Sequence, residues 1–205
     1  MLQYQTIEDS TLVILKDLME IPDLEDFRLV GGTSLALQYG HRNSIDIDLF
    51  GDKSFEEIDL ARVLSQFDKV QNLLSTKYIK TYLINGIKVD MVNYSYPWIG
   101  KLLNEDDIRM ASVEDIAAMK INAITNRGSK KDFYDLDLIL NHYSLKDILQ
   151  FYQKKYYDGT VFMALKSLTY FVDAEAEDDP ELLAGQDWES VKAKVKNAYI
   201  DYLNN

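Results

Sequence analysis

VGGTSLALQYGHRNSIDIDLF, residues 30–50, joins a glycine pair to a pair of aspartates, and the fold follows from how that join is made. The preceding FRLV reads as a short strand running into Gly31 and Gly32. TSLALQYG then predicts a short helix, because it opens with hydroxyls suited to an N-terminus and meets a terminating glycine at Gly40. SIDIDLF alternates apolar and acidic residues with period two, the pattern of a strand. Asp46 and Asp48 are thereby expected on one face, with Ile45, Ile47 and Leu49 on the other. A rise of roughly 3.3 Å per residue puts the two aspartates about 7 Å apart at Cα, close enough to share a cation and to repel each other without one. The alternative is an edge strand whose acids discourage aggregation.

Outward from this stretch, residues 6–19 space Ile7, Ile14, Leu15 and Leu18 as an amphipathic helix. SFEEIDLARVLSQF predicts a helix capped at Ser54, with acids in its first turn. YIKTYLI and IKVDMVNY, joined by Asn85-Gly86, form a hairpin signal. From Ser112 onward five segments carry helical periodicity. The expected architecture is α+β: a sheet flanked by helices over residues 1–100 and a helical bundle over residues 101–205, with the boundary in 97–111.

A third carboxylate extends the pattern. Asp90 interrupts the otherwise apolar hairpin strand IKVDMV, and three acids on two strands of one sheet make an oxygen-lined site suited to Mg²⁺ or Mn²⁺. Gly31, Gly32, Thr33 and Ser34, at a strand end opening into a helix, let backbone amides approach a phosphate. Further along, Lys120 and Arg127 lie seven residues apart, two helical turns, on an apolar face where a cation needs an anionic partner. Asp132 and Asp135 on the next helix are one candidate, and the outer phosphates of a nucleotide are the other. Arg42 lies near enough to the aspartates to reach a nucleotide or to be a surface charge, and oxygen ligands suit the expected cation better than His41. Tyr94, Tyr96 and Trp98 either stack on a base or pack internally.

Composition sets limits. With a formal net charge of −12 the chain is not built to coat nucleic acid by charge, although a local cationic patch remains compatible. It contains no cysteine, which excludes disulfides and thiolate metal sites. The first residues lack the basic start of a signal peptide, and no apolar run reaches membrane-spanning length, so a soluble cytoplasmic protein is expected, without a membrane partner. The acidic run DAEAEDDPE, residues 173–181, reads as a solvated loop.

The glycine pair, short helix and Asp-x-Asp resemble the signature of the DNA polymerase β-type nucleotidyltransferase superfamily, at Val30, Gly31, Gly32, Thr33, Ser34, Asp46 and Asp48, with Asp90 as third carboxylate. GGTSLALQYGHRNSIDIDLF, residues 31–50, and AAMKINAITNRGSKKDFYDLDLIL, residues 117–140, together are similar to the AbiEii/AbiGii toxin family. The resemblance covers roughly residues 25–142. It implies a nucleotidyltransferase-like mixed sheet and an enzyme moving an NMP from an NTP to an acceptor hydroxyl with release of pyrophosphate, the acceptor being tRNA, another RNA or a protein. It further implies Mg²⁺ or Mn²⁺ at Asp46, Asp48 and Asp90, and a toxin with an antitoxin partner. Lys120 would join those three carboxylates in catalysis, Lys120 and Arg127 would meet phosphates, and Lys131, Asp132 and Asp135 would support them. The nucleotide is expected between the two domains. The competing expectations are a catalytically silent nucleotide-binding or partner-binding protein on this fold and a glycosyltransferase using Asp-x-Asp. An Asp-x-Asp phosphatase lacks its expected threonine, the chain having Leu49-Phe50 there.

Overall fold

The structure, a computed structural model, describes residues 1–204. The chain divides into two compact units, one of Met1–Tyr96 with Leu102–Ala111, the other of Pro97–Lys101 with the chain from Ser112 onward.

The first unit is built on a mixed sheet. Its strands among the described residues are β1 (Arg28–Leu29), β2 (Ile47–Gly51), β3 (Val70–Ser75), β4 (Ile79–Ile84), β5 (Ile87–Asn93), β6 (Leu103–Glu105) and β7 (Ile108–Met110), in the order β3-β4-β5-β2-β1-β7-β6. β2 runs parallel to β5 and antiparallel to β1, and β1 runs parallel to β7. One face is the core side: Ile47 and Leu49 of β2, Val89 and Met91 of β5, and Tyr82 and Ile84 of β4 join Leu15 and Leu18 of α1 (Asp9–Glu20) in one buried cluster. The alternate residues of the same strands line the opposite face.

Local chemistry explains most boundaries. Asn85 and Gly86 take φ of 50° and 92°, the left-handed pair that a two-residue hairpin between β4 and β5 requires. Gly40, at φ 74°, ends α2 (Gly31–Tyr39) and returns its N–H to Ala36.

The expected helix at Ser54 forms only over α3 (Leu60–Leu64), with Asp59 as its cap, accepting from the Arg62 N–H at 3.0 Å. Ser54 instead closes a turn with Glu57, and Phe55 and Ile58 of that segment are buried. Two elements carry no strong sequence signal. β3 is exposed along its whole length and held by hydrogen bonding to β4 with a bulge at Asn72/Leu74, and β6 and β7 form a hairpin whose turn residues Asp106 and Asp107 both have positive φ. That hairpin belongs to the first unit because β7 pairs with β1 and Arg109 donates to the carbonyls of Phe27, Met19 and Leu24 at 2.8–3.1 Å.

The second unit is helical, with α4 (Val113–Asn126), α5 (Lys130–Ile139), α6 (Leu145–Lys155), α7 (Val161–Leu168), α8 (Val172–Glu175) and α9 (Trp188–Asn204) among the described residues. Ser112 caps α4 by accepting from Asp115 N–H, and Ser144 with Asp147 forms a capping box on α6. α4 buries Ile116, Ala117, Ala118, Ile121 and Ile124, while Phe133, Phe171 and Trp188 pack ring against ring. The linker Pro97–Lys101 is tied into this unit by a fully buried ion pair, Asp115 with Lys155 at 2.7 Å. Asp115 also accepts the Ile99 and Gly100 N–H groups, and Lys155 also donates to the Pro97 carbonyl. The acidic run is not simply solvated: Glu177 accepts from Ser129 and Lys130, and Asp179 accepts from Tyr134 and pairs with Lys130.

Candidate active site

The acidic residues converge on the open face of the first unit's sheet. Parallel pairing of β2 with β5 sets Asp48 directly beside Asp90, about 4.8 Å apart across neighbouring strands. Asp46 lies one residue ahead of β2, on the side of Asp48, and both are half-buried. Ile45 departs from the expected alternation, being 62% exposed, since the strand begins only at Ile47. On β4, Thr81 stands opposite Asp90 and donates its hydroxyl at 2.6 Å. Lys88, two residues before Asp90 and on the same face, reaches the other Asp90 oxygen at 2.5 Å. Burial works against the Lys88 charge, but the Asp90 hydrogen bond and the charges of Asp90, Asp46 and Asp48 raise its pKa above the ordinary lysine value.

The glycine pair proves to be a fitting as much as a turn. Gly31 has φ 68°, and a Cβ there would stand 2.6 Å from an Asp48 carboxylate oxygen, so a side chain would push that carboxylate aside. At Gly32 a Cβ would collide with the Arg42 guanidinium, which is only 4% exposed and donates to the Asn43 carbonyl at 2.9 Å. Arg42 is therefore part of the interior rather than a surface charge. Thr33 and Ser34 are also interior: Thr33 donates to the Asp46 carbonyl and shares a hydrogen bond with Ser44 at 2.8 Å, while Ser34 accepts from Gln38. The Thr33 hydroxyl holds α2 against the aspartate segment and the Ser34 hydroxyl is engaged within α2, leaving backbone N–H groups as what this turn offers a ligand. Val30 precedes α2 without a side-chain cap, so the first amides of the helix keep their affinity for an anion.

The remaining expected site residues lie in the second unit. Lys120, 5% exposed, pairs with Asp132 at 2.9 Å and with Asp135. Arg127 makes a two-point contact with the same Asp132, at 2.9 and 3.1 Å, while its side chain stays largely exposed. Burial works against the Asp132 charge, yet Lys120 and Arg127 outweigh it and hold the carboxyl below its usual range. Both cations thus have the carboxylate partners in α5 that the sequence offered as one alternative, and Lys131 is exposed. Tyr94 packs on Phe50 and Tyr96, and Trp98 lies under the Lys155 ammonium at 4.4 Å. Sequence reasoning missed Lys88, Thr81 and the Asp115–Lys155 pair. The first two become visible only when the β4-β5-β2 register is known.

Residues 13–201 match the family described as the nucleotidyl transferase AbiEii toxin of type IV toxin–antitoxin systems. The chain belongs to the AbiEii family. Membership makes it a nucleotidyltransferase-family protein and implies a nucleotide substrate and an antitoxin partner. A full-length relative of this AbiEii chain is the uncharacterized protein aq_aa25 of Aquifex aeolicus, 36% identical over 199 residues that span 93% of this chain and 95% of the relative. Among solved structures, JHP933 from Helicobacter pylori superposes with a TM-score of 0.60 at 18% identity, covering 97% of this chain and 95% of the other. MenT4, a nucleotidyltransferase toxin from Mycobacterium tuberculosis, gives 0.57 at 15% identity, covering 94% and 82%. These likenesses establish the α+β nucleotidyltransferase-like fold. No helix among the described residues is long and apolar enough to cross a membrane.

Proposed function

We propose that this AbiEii chain transfers an NMP from an NTP to an acceptor hydroxyl and that the open sheet face of its first unit is where this happens. The observation that carries the reading is the side-by-side register of Asp48 with Asp90, combined with a glycine whose missing side chain makes room for the Asp48 carboxylate.

The donor set fits a small, hard divalent cation. Asp46 and Asp48 supply carboxylate oxygens from one side of a single chain segment, and magnesium commonly takes one or two carboxylates together with substrate phosphates. Among the described residues no group of three or more His, Cys, Asp or Glu side chains is already gathered as a metal site. Asp46 and Asp48, with Asp90 beside Asp48 across the strand pair, would hold Mg²⁺ or Mn²⁺, which supplies positive charge against the triphosphate oxygens when bound.

The chain's own groups do the rest. Uncapped amides at the start of α2 bind phosphate oxygens and offset charge as it builds on the departing pyrophosphate. Asp90 accepts the proton of the acceptor hydroxyl as its oxygen bonds to the α-phosphorus and the bond to the bridging oxygen breaks. Arg42, seated against Gly32, fixes the α2 terminus relative to the aspartates.

The test is transfer of label from each of four α-labelled nucleoside triphosphates, with Mg²⁺ or Mn²⁺, to total cellular RNA and protein. Label that requires intact Asp46 and Asp48 supports the reading and identifies base and acceptor together. Saturable nucleotide binding with no transfer to any acceptor contradicts it and favours a binding protein.

A further inference from the structure

Of the charged groups on the open face of β2, β5 and β4, Lys88 is the one with no part in the chemistry described above. The register places it in the row next to Asp90, on the Asp46 side, and its ammonium takes one Asp90 oxygen while Thr81 takes the other. Both oxygens of the third carboxylate are thus engaged from within the chain. The titratable residues whose charges act on Lys88 are Asp90 and Asp48 on these strands and Asp46 just ahead of β2. The side chain is 43% exposed, so it is free to swing out into solvent without opening the core.

We propose that Lys88 is a built-in counter-ion of the carboxylate group, holding Asp90 in the nucleotide-free protein and competing with the divalent cation for it. This rests on the reading of Asp46, Asp48 and Asp90 as the metal-binding face. The physical logic is ion exchange. Three carboxylates on one small surface repel one another, and a tethered ammonium relieves that repulsion when no divalent cation is present. A doubly charged ion arriving with a triphosphate offers Asp90 a stronger partner, and the lysine leaves. The arrangement offsets carboxylate charge in the metal-free protein, weakens the binding of bare metal and weights metal binding toward the nucleotide-loaded protein.

The experiment is a Mn²⁺ titration of the whole, nucleotide-free chain, read by the paramagnetic resonance signal of free Mn²⁺, for wild type, Lys88→Met, Lys88→Arg, Asp90→Asn and the Lys88→Met/Asp90→Asn pair. Because a partly exposed ion pair is worth up to about fivefold in binding, Lys88→Met is expected to bind Mn²⁺ about threefold to fivefold more tightly than wild type. Lys88→Arg keeps the charge and is expected to stay near wild type, which also controls for folding. In the Asp90→Asn background the gain from Lys88→Met is expected to shrink. Mn²⁺ affinity unchanged or weakened in Lys88→Met, or a gain undiminished without Asp90, overturns the counter-ion role while leaving the metal-binding face standing. Absence of Mn²⁺ binding in every variant, with and without NTP, overturns both.

Discussion

Two charged clusters in this protein obey different rules. In the second unit Lys120, Asp132 and Asp135 meet in the helical interior with the largely exposed Arg127 reaching in to Asp132, and Lys155 with Asp115 is fully buried. In the first unit Asp46, Asp48 and Asp90 crowd one half-exposed face, with Lys88 beside them. Buried charges must be neutralised at close range or they unfold the chain, so the helical clusters read as devices of the fold. Like charges kept side by side on an accessible face, with a glycine cleared to admit one of them, read as preparation for a ligand.

The contrast breaks most visibly at the buried pairs. Replacing Asp115 by Asn takes the carboxylate from the fully buried Lys155, and a loss of about 3–5 kcal/mol is expected in urea unfolding, the usual cost of breaking such a pair, with a smaller loss for Asp132→Asn because Lys120 keeps Asp135. Should these variants unfold like wild type, the helical clusters are not structural. Gly31→Ala is expected next in size. Its Cβ meets the Asp48 carboxylate and its backbone is left-handed, so stability falls by roughly 1 kcal/mol, while a displacement of the carboxylate on the order of 1 Å lowers transfer about 100-fold. An alanine variant with wild-type transfer would dissociate the glycine from the aspartate. The smallest expected effect is on pH.

Burial opposes ionisation of Asp115 and Asp132, but their cationic partners and hydrogen bonds win, so both folded pKa values lie below the ordinary 3.8. The unfolded chain then takes up protons first. This stabilisation is complete above that ordinary value and is lost as the pH falls below it toward the folded values. The stability gap between wild type and Asp132→Asn is therefore expected to hold at neutral and mildly acidic pH and to narrow as the pH falls through and below the ordinary carboxylate value; a gap that stays constant on such acidification would contradict the assignment.

What could be read from the sequence was what local chemistry decides. Gly40, Asn85-Gly86 and the Asp-x-Asp alternation each fix backbone within a few residues; the first two appear where expected and the alternation does so from Ile47 onward, with Asp46 just ahead of the strand. The strand β3 did not, because it is held by hydrogen bonds to β4 and buries none of its residues. The β6–β7 hairpin carried a faint signal in Asp106-Asp107, a residue type that tolerates positive φ, but its place beside β1 rests on Arg109 reaching back some eighty residues. For the site, the aspartates and glycines were visible by type and spacing. Their fittings were not: the Gly31 clearance for Asp48, the seat of Arg42 on Gly32 and the Lys88 contact exist only once strands are paired.

The most direct test of the central claim is transfer of α-labelled nucleotide by Asp48→Asn, compared with wild type at equal folded fraction. Loss of at least about 1,000-fold in transfer with stability changed by less than about 1 kcal/mol is the outcome expected of a carboxylate that serves chemistry. Wild-type transfer in that variant, or collapse of its fold, would place Asp48 with the structural charges of the second unit and contradict the account.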